Sequence, residues 1–162
     1  MKIGVVSDTH SQPIPNQLLE DFKKVDLIIH AGDFCTVDDL HVFSAIGDVK
    51  GVYGNMDEPS LRKMLPEKLI FDLEGSLLGV WHGVGSAKTL LERVKDEFKH
   101  SHVRLVVFGH SHQPLNRKID DILYFNPGSP NDVILAPYCS YGIIEARGKS
   151  IEGKIIKIKK IL

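Results

Sequence analysis

The chain has 162 residues, a length typical of one domain with its own hydrophobic core. Hydrophobic residues make up 43% and charged residues 25%, as in an ordinary globular protein, and no apolar run is long enough to span a membrane. The formal net charge is only −1, which argues against an extended nucleic-acid surface but not against a small phosphorylated substrate. We expect a single domain over residues 1–162.

The N-terminus and the cysteines indicate where the protein works. The segment MKIGVVSDTH has one lysine and an apolar run that is too short for a signal-peptide core. Cys35 and Cys139 lie far apart in the sequence and form no CxxC pair, so we expect reduced thiols. These features predict a cytoplasmic protein without membrane contact.

Apolar runs and helical spacing predict an α/β order of elements. Helices are predicted after Asn16 and Thr36, which can each act as a helix cap, and over 87–99, where apolar residues share one face. Strands are predicted over 2–7, 26–30, 49–53, 68–73, 77–81, 103–108, 140–146 and 155–161, and a strand pair with an Asp-Asp turn over 118–125. We expect an α/β fold with helices packed around central strands.

Five of these strands are followed directly by side chains that can bind a metal ion. In chain order these side chains are Asp8, His10, Asp33, Asn55, His82, His110 and His112. The carboxyl ends of strands in an α/β sheet lie at one edge, so we expect the seven to converge. Taken singly, each motif has an ordinary interpretation, such as a Gly-Asn turn or a hydrogen-bonded histidine. The five strand ends together predict a metal centre.

Seven ligands are too many for one tetrahedral zinc ion but divide between two divalent ions. Asp33 is the candidate for a shared ligand, because a carboxylate has two oxygens. The other six divide into Asp8, His10 and His112 for one ion and Asn55, His82 and His110 for the second. Mixed imidazole and carboxylate ligands favour Mn²⁺, Fe²⁺, Zn²⁺, Ni²⁺ or Co²⁺ over Ca²⁺ or Mg²⁺, and among these we expect Mn²⁺. Two such ions would clamp a phosphoryl group and lower the pKa of the water between them.

With these residues the chain resembles the calcineurin-like metallophosphoesterases, in particular their small microbial phosphodiesterase branch. The family pattern D-x-H, G-D-x-x, G-N-H-[DE], His-Gly and G-H-x-H has counterparts in DTH at 8–10, GDFC at 32–35, GNMD at 54–57, HG at 82–83 and GHSH at 109–112. The NPGS segment at 126–129 adds to the likeness. The resemblance implies a four-layer αββα sandwich of two mixed β-sheets flanked by helices.

The resemblance also implies an activity, namely hydrolysis of a small phosphodiester by a hydroxide that bridges two divalent ions. Asp33, Asn55 and His82 are the residues that we predict to be catalytic as well as metal-binding. Asp57 is predicted to orient a neighbouring group, in the way that carboxylates fix histidine tautomers, and His30 to support the ligands from behind or to pack. The sequence is also compatible with a homodimer.

The chain departs from the family at Met56, where many members have a histidine that is thought to protonate the leaving group or steady the transition state. A thioether has no proton to give. General acids contribute about 10²–10⁴-fold, so we expect slow turnover of ordinary esters and easier turnover of activated diesters.

Two other functions fit the same fold. One is a non-catalytic metal-binding scaffold for protein–protein interaction, as in the retromer scaffold subunit, which resembles this branch in outline but lacks some of the metal-binding histidines. The other is a phosphomonoesterase, which differs only in the shape of its pocket. All seven ligand positions are filled here, which favours an enzyme over a scaffold.

Overall fold

Strands and helices alternate through the first two thirds of the chain, and strands follow after that. The computed structural model describes residues 1–159. The helices are α1 (Asn16–Phe22), α2 (Val37–Ser44), α3 (Pro59–Met64) and α4 (Leu90–Phe98). The strands are β1 (Lys2–Val6), β2 (Leu27–His30), β3 (Val49–Gly51), β4 (Lys68–Leu73), β5 (Ser76–Trp81), β6 (Leu105–Val107), β7 (Leu115–Ile119), β8 (Ile122–Asn126), β9 (Ser140–Arg147) and β10 (Ser150–Lys157). Within 1–159, every helix is too short or too polar to cross a membrane.

The strands form two five-stranded mixed sheets. In the first sheet the order is β10-β9-β1-β2-β3, with β1, β2 and β3 parallel and β9 and β10 antiparallel. In the second sheet the order is β4-β5-β6-β8-β7, with β5, β6 and β8 parallel and β4 and β7 antiparallel to their neighbours. Each sheet therefore contains three parallel strands, and ligands bind beyond the carboxyl ends of such strands.

The two sheets pack face to face over a shared apolar core. Val5 and Ile29 from the first sheet and Leu78, Val107 and Phe125 from the second are fully buried there. Strands with both faces covered consist of nearly continuous apolar residues, and this explains the uninterrupted apolar runs in the sequence.

Helices cover the outer faces of both sheets. Phe22 of α1 and Phe43 of α2 pack in the core cluster outside the first sheet, while Val94 and Phe98 of α4 pack in the cluster outside the second. The predicted α/β fold, a four-layer αββα sandwich of two mixed β-sheets flanked by helices, is confirmed.

Three local predictions differ from the structure. Helix α3 was not predicted, because it has only six residues and buries only Leu61, too little to show a helical period. The β7–β8 hairpin begins at Leu115 instead of 118, and β10 begins at Ser150 instead of 155. Positions 160 and 161 of the predicted last strand lie outside the described residues.

The two predicted helix caps also differ. Asn16 is the first residue of α1, and Pro15 occupies the cap position. Thr36 precedes α2 but makes no capping hydrogen bond with its side chain. The backbone N–H of Val37 instead donates to Glu58 Oε1 at 3.0 Å, so a carboxylate distant in sequence stabilises this helix start.

Candidate metal centre

The seven side chains predicted as metal ligands come together beyond the ends of β1, β2, β3, β5 and β6. Three of them form a first group. His10 Nε2 lies 3.2 Å from His112 Nε2, and Asp8 Oδ1 lies 3.3 Å from His112 Nε2 and 3.7 Å from His10 Nε2. One donor atom from each residue lies within 4.8 Å of the other two, the spacing of ligands around one ion.

Asn55, His82 and His110 form a second group with equally close spacing. Asn55 Oδ1 lies 3.1 Å from His82 Nε2 and 3.2 Å from His110 Nδ1, and these two nitrogens are 3.3 Å apart. An amide oxygen and two imidazole nitrogens therefore point at one location. Such a donor set suits a transition-metal ion.

Asp33 lies between the two groups. Its Oδ2 is 3.2 Å from His82 Nε2 and 3.8 Å from His10 Nε2, while its Oδ1 accepts a 2.8 Å hydrogen bond from the backbone N–H of Met56. This is where a ligand shared by two ions would have to lie, and the bridging role itself stays a prediction.

The buried carboxylate of Asp8 shows that a cation fits this site. Its Oδ2 accepts the backbone N–H of His110 at 3.0 Å, whereas Oδ1 is buried without a hydrogen-bond partner among residues 1–159. Burial disfavours the charged form, but the imidazoles of His10 and His112 outweigh it and hold the pKa of Asp8 well below its usual range. Imidazole nitrogens 3.3 to 3.9 Å from Oδ1 offset its charge without a hydrogen bond, and a bound cation would offset it more directly.

Backbone carbonyls set the tautomers of two histidines. His82 Nδ1 faces the carbonyl oxygen of Ala31 at 2.8 Å, and His110 Nε2 faces that of Gly85 at 2.8 Å. A carbonyl oxygen can only accept, so these outer nitrogens carry the proton. The inner nitrogens, His82 Nε2 and His110 Nδ1, then direct their lone pairs at the centre, as metal binding requires.

The other two histidines are held by side chains. His112 Nδ1 hydrogen-bonds to Asp132, and His10 Nδ1 lies 3.4 Å from Cys35 Sγ. Asp8 and then Asp132 raise the pKa of His112 to about 9, although its partial burial acts in the opposite direction. A metal ion that binds His112 therefore has to displace a proton from it.

Asp132 belongs to the candidate site and was not predicted from the sequence. It follows the NPGS segment, after the sixth strand to end at this edge, β8, and that position was the available signal. Its Oδ2 accepts from His112, while its Oδ1 accepts the backbone N–H groups of Ile134 at 2.7 Å and Leu135 at 3.0 Å. One carboxylate thus orients a ligand and fixes a loop.

We expect Asp132→Asn to weaken Mn²⁺ binding by about 10–100-fold, because asparagine has one acceptor oxygen and cannot serve both His112 and the loop. Electron paramagnetic resonance of free Mn²⁺ in titrations measures the affinity. Asp120→Asn, at an exposed turn carboxylate, is the matched control and should bind like the wild type. Equal affinities for all three proteins would contradict this role.

Asp57 supports the site through the backbone. Its Oδ2 accepts the N–H groups of Asp33 at 3.1 Å and Gly54 at 2.7 Å, and its Oδ1 accepts that of Cys35 at 2.7 Å. It thereby joins the loop after β2 to the loop after β3. Asp57 thus orients backbone groups of the two ligand loops, whereas the imidazole of His112 hydrogen-bonds to Asp132.

His30 joins the loops after β1 and β2. The backbone N–H of Gly32 donates to His30 Nδ1 at 3.1 Å, so His30 Nε2 carries the proton and donates to Thr9 Oγ1 at 3.1 Å. The hydroxyl of Thr9 in turn donates to Asp39 at 2.5 Å. Complete burial lowers the pKa of His30 to about 3, so the ring is neutral and serves as a fixed connector.

Five of the seven predicted ligands have left-handed backbone. The φ angles are +58° for Asp8, +49° for His10, +59° for Asp33, +70° for His110 and +58° for His112. Residues other than glycine rarely adopt this region, which costs roughly 1–3 kcal/mol each, and such residues cluster at functional sites. Tight packing maintains the geometry: a Cβ at Gly54 would lie 2.2 Å from Asp33 Oδ1.

The chain is similar in sequence to proteins of one known superfamily. Residues 1–149 match the calcineurin-like phosphoesterase superfamily domain. A probable metallophosphoesterase of Methanothermobacter thermautotrophicus is 30% identical over 161 residues, covering 97% of this chain and 92% of that protein. A phosphodiesterase of Methanocaldococcus jannaschii is 30% identical over 142 residues, covering 79% of this chain and 83% of that protein.

A solved structure shares the fold at lower sequence identity. Vps29 of Chaetomium thermophilum superposes with a TM-score of 0.85 and 18% identity, over 99% of this chain and 90% of that one. At this identity the likeness concerns the fold alone. The domain match and the two relatives are similarities in sequence, and they show that the chain belongs to the calcineurin-like phosphoesterase superfamily.

Proposed function

We propose that the protein is a phosphodiesterase that works with two divalent metal ions, and that Mn²⁺ is the preferred ion. One observation carries the proposal: two groups of three metal donors lie side by side, and the carboxylate of Asp33 lies between them. A site with one ion would not need the second group.

Each group would hold one ion together with Asp33. Asp8, His10 and His112 belong to the first, and Asn55, His82 and His110 belong to the second. When bound, such a pair of ions polarises the phosphoryl oxygens, lowers the pKa of a water molecule and neutralises charge in the transition state. Two ions bring four positive charges and the two carboxylates remove two, so the remainder attracts an anionic diester.

The side chains contribute by being fixed before the substrate arrives. Hydrogen bonds to carbonyls and to Asp132 orient three of the imidazoles, and Met56 N–H holds Asp33 at Oδ1 so that Oδ2 faces the centre. Preorganised donors do not have to reorient during the reaction, which is where much of the rate enhancement of enzymes arises.

The name of a relative favours diesters over monoesters, and Met56 favours esters with good leaving groups. A relative that is 30% identical bears the name phosphodiesterase. The side chain of Met56, next to the ligand Asn55, is 58% exposed and offers no proton to a leaving group. Substrates whose leaving group departs without protonation suit such a site.

The proposal is tested by stripping the protein with a chelator, adding Mn²⁺ back and measuring hydrolysis of bis-p-nitrophenyl phosphate and of p-nitrophenyl phosphate. Turnover that needs Mn²⁺ and favours the diester supports the proposal. A preference for the monoester would make the protein a phosphomonoesterase. Mn²⁺ binding without turnover of either ester would make it a scaffold on the fold that Vps29 shares.

We expect Met56→His to raise kcat/KM for diesters with poor leaving groups by about 10²-fold or more, because the new imidazole supplies a general acid. The gain should shrink to a few-fold for bis-p-nitrophenyl phosphate, whose leaving group needs no proton. A series of aryl diesters with leaving groups of increasing pKa measures the difference.

Met64→His is the matched control, because Met64 is a methionine of similar exposure, 55%, on helix α3. It should leave the leaving-group dependence as in the wild type. A uniform change across the series for Met56→His would refute the idea that this position lacks a proton donor.

A further inference from the structure

A cavity of about 430 Å³ adjoins the first group of metal donors. Asp8, His10 and His112 form one side of it, and Ile134 and Leu135 form another. Its size lies within the range of small-molecule sites, which are mostly apolar with a few polar groups. The cavity therefore offers space for a substituent of a phosphoryl group bound at the metal centre.

The aliphatic wall comes from an exposed tip of the segment between β8 and β9. Val133, Ile134 and Leu135 are 77%, 86% and 69% exposed, more than any other large apolar side chain in residues 1–159. Single exposed apolar residues are ordinary, whereas three in a row beside a site indicate binding.

The tip is fixed relative to the metal centre by Asp132. The same carboxylate that orients His112 accepts the backbone N–H groups of Ile134 and Leu135. Asn131, at the base of the tip, donates its side-chain N–H to the carbonyl of Thr9 at 2.9 Å. The aliphatic wall is thus attached to the loop that carries Asp8 and His10, and a ligand would meet a preformed surface.

The charges around the cavity indicate what it does not bind. Its described lining includes the carboxylates of Asp8 and Asp132 but neither lysine nor arginine. A second phosphate on the substrate would find no cation there beyond the metal centre itself. The amide of Gln12 adds a neutral polar group to the rim.

Met56, where a proton donor for the leaving group is missing, is next to Asn55 of the second group and does not line this cavity. We therefore infer that this cavity binds the ester group that remains on the phosphate, and that this group derives from an uncharged apolar or aromatic alcohol. The inference rests on the proposed function and narrows its substrate class. Small diesters of such alcohols are substrates, and diesters whose retained alcohol carries a further phosphate are disfavoured.

The test uses two substrates with the same leaving group, phenyl p-nitrophenyl phosphate and methyl p-nitrophenyl phosphate, with Mn²⁺ present. We expect Ile134→Ser and Leu135→Ser each to lower kcat/KM for the phenyl ester by about fivefold, because each removes apolar area from the contact. The methyl ester should change by less than about twofold. Val133→Ser is the matched control, since Val133 belongs to the same tip but does not line this cavity, and it should leave both esters unchanged.

Equilibrium binding gives a second measurement that does not depend on turnover. Calorimetry with the Mn²⁺-loaded protein should show diphenyl phosphate binding more tightly than dimethyl phosphate, and Ile134→Ser should reduce that preference by about fivefold. If the wild type hydrolyses the methyl ester but the tip variants change both esters equally or neither, the inference fails and the proposed function stands.

If neither ester is hydrolysed, the proposed function fails with its substrate class, and binding then tests only whether the cavity prefers an apolar ester group. Equal binding of the two phosphates would then overturn it. Light scattering checks the remaining alternative: a wild-type dimer that Ile134→Ser dissociates would make the tip a contact between copies and would also overturn the inference.

Discussion

Asp33→Asn should lower Mn²⁺-dependent hydrolysis of bis-p-nitrophenyl phosphate by at least about 10³-fold, since a metal centre supplies several kcal/mol of transition-state stabilisation. The backbone N–H of Met56 donates to Asp33 Oδ1 at 2.8 Å. Asparagine keeps an oxygen that can accept this hydrogen bond, so the loop that contains Met56 should keep its conformation. Asparagine places an NH₂ group where Oδ2 now lies, 3.2 Å from His82 and 3.8 Å from His10, and an NH₂ group cannot bind a cation.

The matched control is Asp38→Asn, which removes an exposed carboxylate five positions away on helix α2. It should retain wild-type turnover. Initial rates across a Mn²⁺ titration measure both variants. If Asp33→Asn kept more than a tenth of the wild-type rate, Asp33 would not be the ligand that both ions share.

The second large effect is on stability. Mn²⁺ should raise the melting temperature of the chelator-treated protein by about 5–10 °C. An ion present at 100 times its dissociation constant contributes about 2.7 kcal/mol to the free energy of unfolding. In a chain of 162 residues each kcal/mol corresponds to about 2–4 °C. The buried Oδ1 of Asp8 is part of the reason, since it has no hydrogen-bond partner among residues 1–159 and a cation would contact it directly.

Mg²⁺ is the control ion, because it prefers oxygen ligands and this site offers four imidazoles. Thermal melts at equal concentrations of the two ions should show a clear shift with Mn²⁺ and little with Mg²⁺. Asp33→Asn should lose at least half of the Mn²⁺ shift. Equal shifts with both ions would indicate binding at exposed carboxylates elsewhere and would contradict the site described here.

The sequence predicted much of the fold because of how the sheets are built. Strands such as β1 and β2 are covered on both faces, so they are apolar throughout and easy to recognise. Parallel strands also bring their carboxyl ends to one edge, so the residues after β1, β2 and β3 were predictable neighbours. Helix α3 gave no such signal, because a short helix with one buried residue shows no period.

The partners behind the ligands could not be predicted in the same way. Asp132 is 20 positions from His112 and lies in an irregular segment, and no periodicity relates the two. The start of α2 is held by Glu58, 21 positions away, in place of the expected neighbour Thr36. Such contacts depend on how loops pack in three dimensions, which local sequence patterns do not encode.

The left-handed backbone at five of the predicted ligands bears on which amino acids selection has kept at these positions. Glycine adopts this conformation without strain, so selection for a stable fold alone would favour glycine at His10, Asp33 or His112. The chain instead has imidazole and carboxylate groups there and bears the conformational cost at each position. The most stable sequence and the present sequence therefore differ at these positions, and the difference lies in side chains that can hold a metal ion.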